Sequence, residues 1–378
     1  MRKLTVLAVA LASAAAAQAQ TAASPTIFGL LDIGYLSVRS SGTGTSTQVA
    51  TDGNTSSRLG FRGSESLGGG LSAEYWLEAA VSPDTGLSGG TSTTNKDSVN
   101  SGGLTFGRRS TLGLKANWGE VRLGRDYVPS FNNLTVAMHP FGTNGVGNAG
   151  QLFYPVNTGG TTVRTNVRAS NSIAYHLPGN LGGFNGTFMY ATGEQSSSAA
   201  GGTSKDGNHL GFRLGYSAGP LNAAFASGKT NYATGDFTQT NLAANYKFGP
   251  AKLMYLWGQN KVGVTKTSVH MIGTQWDVSA MGQVRVAYTT LKATAVANDA
   301  NQWAFGYQHT LSKRNPAMYS FTVTPRSQTQ AISLVYSHKR GLGREFNLGV
   351  TQSNQRATGS ASHIATEVFA KLSWAVNL

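Results

Sequence analysis

The sequence predicts an all-β fold, a transmembrane antiparallel β-barrel, and three observations carry that prediction. Beyond the first 19 residues no stretch is apolar enough to cross a bilayer as a helix, which takes about 20 consecutive apolar residues. The rest of the chain is instead a long series of short segments in which apolar and polar residues alternate, the period of strands whose two faces meet different surroundings. The composition agrees: 48 glycines, 14 tyrosines and 16 phenylalanines against 10 prolines is the small-plus-aromatic bias of closely packed barrel strands with interfacial girdles. A barrel suits a membrane because every backbone hydrogen bond closes between strands and none is left to lipid. A direct count of plausible strands gives about 18.

The chain opens with an export signal. Arg2 and Lys3 form a positive start, Leu4 to Ala17 an apolar run too short to span, and Ala17-Gln18-Ala19 an A-x-A cleavage site. Residues 1–19 are expected to be removed as a signal peptide, leaving residues 20–378 as one barrel domain beginning at Gln20. No linker, Pro-rich hinge or shift in composition marks a second domain. Cleavage takes the basic residues from 30 to 28 against 16 acidic ones, a net charge of +12. With no cysteine, disulfides, thiol chemistry and Cys-based metal sites are excluded.

Along the mature chain, Ser57 to Glu65 reads as an early strand in which Arg58 and Arg62 share the face opposite Leu59 and Phe61. After the turn Leu67 to Gly70, Trp76 shares its face with Glu74 and Glu78; after the turn Asn117-Trp118-Gly119, Arg122 lies opposite Val121 and Leu123. Farther on, Leu210, Phe212, Leu214 and Tyr216 fall on one face and His209, Gly211, Arg213 and Gly215 on the other. Val284, Val286 and Tyr288 separate in the same way from Gln283, Arg285 and Thr289, and Trp303, Phe305 and Tyr307 from Gln302, Ala304 and Gln308. The apolar sets should meet lipid and the polar sets water. Ser217 to Pro220, Phe248-Gly249-Pro250 and Ser312 to Asn315 are further short turns, expected with the first two at the periplasmic rim. Arg39 to Ser56, Pro83 to Gly103 and Glu194 to Gly207 are long polar stretches expected as loops facing outward from the cell. Gln330 to His338, Glu345 to Gln352 and His363 to Leu378 read as the last strands, the final one with Val368, Ala370, Leu372, Trp374, Val376 and Leu378 on one face.

One connection is unlike the rest. From Val128 to Arg168 no convincing alternation occurs, a span far beyond the usual loop of a compact domain and therefore functional in expectation. In a barrel wide enough to leave a hole, such a loop belongs folded inward, where it narrows the lumen. It carries no acidic residue; between Asp126 and Glu194 the only charges are Arg164 and Arg168.

Four short stretches, in order, carry a resemblance to a known family. Ser57-Arg58-Leu59-Gly60-Phe61-Arg62-Gly63-Ser64-Glu65 with Leu67-Gly68-Gly69-Gly70-Leu71 resembles the second strand and first turn of the Gram-negative general porins. Gly124-Arg125-Asp126-Tyr127-Val128-Pro129 is similar to their approach to the constriction loop, Asn171-Ser172-Ile173-Ala174-Tyr175 with Leu181-Gly182-Gly183-Phe184 to the hairpin after it, and Leu311-Ser312-Lys313-Arg314 to their last long hairpin. The resemblance implies a homotrimer of 16-stranded barrels, each with a water-filled pore passing small hydrophilic solutes by diffusion. It also implies outer-membrane lipid and lipopolysaccharide around the barrel, the barrel-assembly machinery during biogenesis, and no cofactor. The third long loop would form an eyelet facing basic side chains, with Arg58 and Arg125 at positions of eyelet arginines and Arg168 and Arg164 in the similarly matched stretch beyond.

Alternation supports Arg58, Arg62 and Arg122 as lumen-facing, whereas Arg125 falls on the lipid-side phase by strict counting. Either a bulge after Gly124 turns it inward or it faces the subunit contact, and the bulge is the favoured reading. Two features depart from the family pattern. Family members set carboxylates on the constriction loop opposite the arginines; here the loop has none, so a one-signed cationic eyelet should concentrate anions, unless Glu74, Glu78 or Asp126 neutralise it. The segment from Gln330 to His338 resembles the family's final strand, yet the chain runs on for some forty residues and ends in Leu378 instead of phenylalanine.

Other functions fare worse. Seven histidines, His139, His176, His209, His270, His309, His338 and His363, lie in no metal-ligand spacing, and no G-x-S-x-G occurs, so no enzyme is expected. Gly145 to Gly150 fits G-x-G-x-x-G but no strand leads into it, so it reads as a loop tip. Basic residues are spread along strands instead of clustered with aromatic platforms, which argues against nucleic acid. The remaining alternatives are a channel selective for phosphate-like anions or sugars, and a structural or adhesive barrel plugged by its loop.

Overall fold

The computed structural model describes residues 25–40, 44–89, 94–96, 103–135, 138–155, 157–158, 161–294, 299–312, 315–324, 329–334, 349–351 and 363–377. The expected signal peptide and its cleavage site lie outside them. Alternating segments become strands in chain order: β1 (Thr26–Ser40), β2 (Gly44–Thr51), β3 (Arg58–Gly68), β4 (Leu71–Ala80), β5 (Arg109–Ala116), β6 (Gly119–Tyr127), β7 (Asn157–Thr158), β8 (Thr161–Thr162), β9 (Arg168–His176) and β10 (Phe184–Ala191). They continue with β11 (His209–Ala218), β12 (Leu221–Thr230), β13 (Phe237–Phe248), β14 (Ala251–Val262), β15 (Thr265–Asp277), β16 (Gly282–Ala293), β17 (Ala300–Ser312), β18 (Asn315–Thr324), β19 (Thr329–Leu334), β20 (Gly349–Thr351) and β21 (His363–Asn377). No described helix is long and apolar enough to cross a membrane.

All but β7 and β8 belong to one 19-stranded sheet. From β3 to β20 each strand pairs antiparallel with the next one in the wall, β6 passing directly to β9. The last strand returns to the first, since β21 pairs with β1 from Thr26↔Asn377 to Ser40↔His363. β2 and β3 both pair with β1, through Ile33 to Ser40 and Thr26 to Leu30, and so share one wall position. Counted once, they leave eighteen positions among the described strands of the 19-stranded sheet, nearer the direct count of about 18 than the 16 of the family resemblance. The strand expected over Glu345 to Gln352 is described only at Gly349–Thr351, and residues 335–348 lie outside the described part.

The stretch Arg39 to Ser56 is not the long loop its polar composition suggested. β1 runs on to Ser40 and pairs with β2, leaving, among the described residues of the stretch, 52–57 out of the ladder. The cause is Asp32, fully buried, whose carboxylate accepts from the backbone N–H groups of Gly53, Asn54 and Thr55 at 3.2, 2.9 and 2.7 Å. A nest of amides around one carboxylate holds the chain away from its strand.

The five short turns join consecutive strands as expected, at Gly68↔Leu71, Ala116↔Gly119, Ala218↔Leu221, Phe248↔Ala251 and Ser312↔Asn315. In the first, Gly68, Gly69 and Gly70 all have positive φ (83°, 60° and 80°), a left-handed run that side chains with a Cβ rarely enter. On the opposite rim the β14–β15 connection is also tight, with Val262 paired to Thr265.

Alternation sorts the two faces. Leu112, Leu123, Ile173, Leu210, Leu214 and Ile272 are exposed on the outside, whereas Ala174, Met189, Ala224, Ala243, Leu256 and Met271 are buried on the inside. Inward apolar residues are covered because the segment between β6 and β9 lies against them: Val128, Phe131, Leu134, Met138, Phe141 and Phe153 form one buried cluster with Met254, Leu256, Val269 and Met271. The apolar core of this protein is therefore inside its barrel and is made with a loop.

Candidate pore constriction

The loop spans residues 128–167, since Arg168 already belongs to β9. It holds a 3-10 turn at Phe131–Leu134, one helical turn at Gly150–Phe153 and the β7–β8 hairpin, none long enough to stand alone. Its backbone polar groups are met by uncharged amides on the inward faces of β13 to β17. Gln239 accepts from Ser130 Oγ at 2.6 Å and donates to the Phe153 carbonyl at 3.1 Å, which Asn260 also reaches at 3.1 Å. Asn241 donates to the Ser130 carbonyl and accepts from Asn133, while Gln275 donates to the Pro140 carbonyl and Gln302 to those of Val146 and Asn148. Gly258 and Gly273 clear the path, because a Cβ there would lie 2.7 Å from the Phe153 ring and 2.6 Å from Pro140. On the other side, Ser56 in the β2–β3 interruption hydrogen-bonds Asn144. An inward carbonyl with no water around it needs such a partner, and amides supply it without adding charge.

His139 shows how enclosed this seat is. It is buried, its Nδ1 accepts from the Phe141 N–H at 3.1 Å, and its Nε2 has no partner. Burial, with Arg285 nearby, pushes its pKa down to about 3, so the imidazole is neutral at ordinary pH.

Facing the loop, β3 to β6 and β9 carry the arginines. Arg62 stacks over Trp76 at 5.0 Å and Phe28 at 5.2 Å, and Arg109 over Trp76 at 4.6 Å, so one indole holds two guanidinium groups. Trp76 itself donates to Glu78, which also binds Arg108 at 2.6 Å. Arg122 makes a two-pronged pair with Glu120 at 2.7 and 2.8 Å and reaches Asp126 at 2.7 Å, with Arg109 on the same carboxylate at 3.4 Å. The Tyr127 hydroxyl accepts from Arg108 and Arg168, and the Arg168 guanidinium lies 4.4 Å over its ring.

The six arginines singled out from the sequence thus have different surroundings. Arg62, Arg122 and Arg168 join one connected cluster. Arg58 donates to the Ser56 carbonyl beside the strand interruption. Arg125 donates to the Gly107 carbonyl and to Ser170 Oγ. A register shift is present, but the extra residue lies in β9, not in β6: Gly124 pairs with Ser172 and Asp126 with Ala169, so Ser170 and Asn171 together oppose Arg125. β6 itself keeps its phase against β5, with Ser110 opposite Arg125 and Leu112 opposite Leu123, so the inward turn expected of Arg125 does not follow and it stays on the phase of Leu123. Asn171 takes up the turn with φ 56°. Arg164 sits in the loop with its Nε buried and unpartnered.

Arg108 and Arg109 escape the sequence reading, although Arg109 is in phase with Thr111 on β5 and two adjacent arginines ahead of a strand are a visible signal. Of the carboxylates suspected of neutralising the cluster, Glu78 and Asp126 do bind it; Glu74 pairs instead with Lys115 at 3.1 Å, and Glu120 takes part without having been expected to. Arg58, Arg62, Arg125 and Arg168 form no ion pair among the described residues. With Arg125 set aside, six arginines therefore meet Glu78, Glu120 and Asp126 along this wall, beside the Glu74–Lys115 pair.

The model of one family, described as Gram-negative porin, matches residues 4–324. The chain belongs to the Gram-negative porin family. Outer membrane porin protein 32 of Delftia acidovorans is 36% identical over 329 residues, covering 84% of this chain and 88% of that one. Among solved structures, the anion-selective porin from Comamonas acidovorans has a TM-score of 0.70 at 30% identity, covering 93% of this chain and 100% of the other. OmpT of Vibrio cholerae in its trimer form shares the fold, with a TM-score of 0.58 at 14% identity over 93% of this chain and 100% of its own. This porin is accordingly an outer-membrane β-barrel channel for small hydrophilic solutes, its lumen narrowed by the inward loop.

Proposed function

We propose that the channel prefers anions, and the carrying observation is the imbalance of charge at the constriction. One wall presents Arg58, Arg62, Arg108, Arg109, Arg122 and Arg168 against Glu78, Glu120 and Asp126, with Glu74 on the same face taken up by Lys115, while the loop opposite contributes no carboxylate. A narrow cationic passage with low-dielectric walls concentrates the field, raising the local concentration of anions and excluding cations. The neutral seat of the loop supports the same reading, since amides narrow the pore without offsetting the arginines. The anion-selective title of the Comamonas acidovorans structure points the same way. We further propose a homotrimer, supported by the family resemblance and by the trimer form of a porin with the same fold, with no reaction catalysed.

The test is the zero-current potential of purified protein in a planar bilayer under a steep KCl gradient. A chloride-favouring potential that falls when Arg58→Ser and Arg62→Ser are combined supports the proposal. A cation-favouring potential overturns the anion preference, and an absence of conductance returns the plugged barrel. Phosphate-like anions would use the same arginines, so competition of phosphate with chloride current separates a selective pore from a general one.

A further inference from the structure

The break in the wall between β2 and β3 is built around one buried carboxylate. Asp32 shares its phase of β1 with Phe28, which packs on Trp76 inside the wall, and is itself fully buried. Besides the three amides that its carboxylate takes from residues 53–55, its main chain closes the ends of the same turn. The Asp32 carbonyl accepts from the Asp52 N–H at 3.0 Å and from the Thr51 and Ser57 hydroxyls at 3.1 Å each, and the Asp32 N–H donates to Ser57 Oγ at 2.9 Å. Asp52, at φ 67°, in turn accepts from the Ser57 N–H at 2.6 Å. A chain leaving a sheet must find new partners for its N–H groups. Here one side chain serves three of them.

The turn has a reach that an unbroken strand would lack. β2 and β3 share one wall position, so a direct run from Thr51 to Arg58 would keep Ser56 in the ladder. Outside it, Ser56 meets the tip of the constriction loop: its Oγ lies 3.1 Å from the Asn144 amide and, with that amide turned to face it, its N–H donates to the Asn144 oxygen at 2.7 Å. The Ser56 carbonyl also accepts from Arg58 at 3.4 Å. The far flank of the tip is held by Gln302 of β17 through the Val146 and Asn148 carbonyls, and by Tyr154 through that of Thr143. The tip is thus strung between two walls, with Ser56 as its anchorage on the arginine side.

We infer that Asp32 is a positioning residue for the aperture. By folding residues 52–57 around its carboxylate it delivers Ser56 to Asn144, and so fixes how far the loop tip stands from the arginine wall. The inference rests on the channel reading. Asp32 itself is enclosed by the turn it holds and meets no permeating ion. Bonds from amides to an ionised carboxylate are stronger than those between neutral groups, so a neutral side chain of the same shape should lose much of the hold.

The test is unitary conductance together with liposome swelling in uncharged sugars of graded size. Asp32→Asn keeps the shape of the side chain but leaves one acceptor oxygen for three donors; it should raise conductance and admit a larger sugar. Asn144→Ala cuts the bridge from the loop side and should do the same. The two combined should do no more than the stronger alone, because they break one connection. Reversal potentials separate positioning from charge. Removing a carboxylate by itself strengthens a preference for anions, whereas widening the aperture weakens it, so in a chloride-favouring channel Asp32→Asn should lower the preference. Ser57→Ala loosens the same turn more gently, should move conductance in the same direction, and carries the test if Asp32→Asn does not assemble. Unchanged conductance and sieving in Asp32→Asn, effects that add in the double variant, or a strengthened anion preference overturn the inference and leave the channel reading intact. A parent protein that does not conduct sinks the channel reading, and this inference with it.

Discussion

At the scale of single residues, Trp76 sets the character of the passage. A cation held over an aromatic ring keeps its full charge, unlike one held by a carboxylate, and the attraction is about 0.5–2 kcal/mol depending on exposure. Trp76 holds both Arg62 and Arg109 in this way. Trp76→Leu leaves the charge count as it was but frees both side chains, so reversal potentials should show a weaker anion preference. An unchanged potential would mean the arginines are fixed by other contacts. The sequence already put Trp76 on the inward face, because it shares a phase with Glu74 and Glu78, and it exposed Arg58, Arg62 and Arg122 by the same counting. It could not give the partners: that Arg122 is bound by Glu120 and Asp126 while Arg62 lies over the rings of Phe28 and Trp76 depends on cross-strand neighbours that periodicity does not name.

At the scale of elements, the loop from residue 128 to 167 is fastened chiefly by neutral groups, with Arg213 on Asn133 a charged contact, and is therefore sensitive to anything that charges the neutral ones. His139 has its folded pKa near 3, below the ordinary value of about 6.5. A depressed histidine pKa means that the unseated loop binds a proton more readily than the seated one. The seat is at full strength above pH 6.5 and weakens progressively as the pH falls towards 3. Unitary conductance recorded across that range should become larger or noisier in acid, and His139→Gln should remove this part of the pH dependence. Identical profiles in the two proteins would assign the effect to the wall carboxylates. The loop was legible as an element, through its length and lack of alternation, but its seating was not. Gln239, Asn241 and Asn245 lie in one phase of β13, a stripe of amides that marks a wet or gripped inner face without telling which. The interruption at residues 52–57 was hidden for a different reason, since Asp32 makes it from some twenty residues earlier in the chain.

At the scale of the whole molecule, narrowing and selectivity have separate physical origins. The arginine wall acts through a field, which salt screens over about 10 Å at 0.1 M and 3 Å at 1 M. The loop narrows by packing and amide hydrogen bonds, which salt at these concentrations barely alters. Anion preference should therefore decline steeply as KCl is raised, while the largest uncharged solute that can pass, measured by liposome swelling, stays the same. A size cut-off that moved with salt would show that charge also positions the loop. The strand order behind this division was readable from alternation and turns alone, because both faces of the wall have distinct solvents. What alternation cannot resolve is the count where pairing is short, as at β18 to β20, each joined to its neighbour by three residue pairs.

The bonds that seat the loop reach far along the chain: Ser130 to Gln239, Pro140 to Gln275 and Val146 to Gln302 bridge 109, 135 and 156 residues. Closing such long loops of chain costs entropy that is recovered only when the distant partner is in place. The aperture is consequently the last part of the molecule to mature. A wall assembled only as far as β12 has its arginines but holds the segment that will face them only near Asn133 and Thr165, so a barrel trapped late in biogenesis would be a wider, leakier hole before it became a filter.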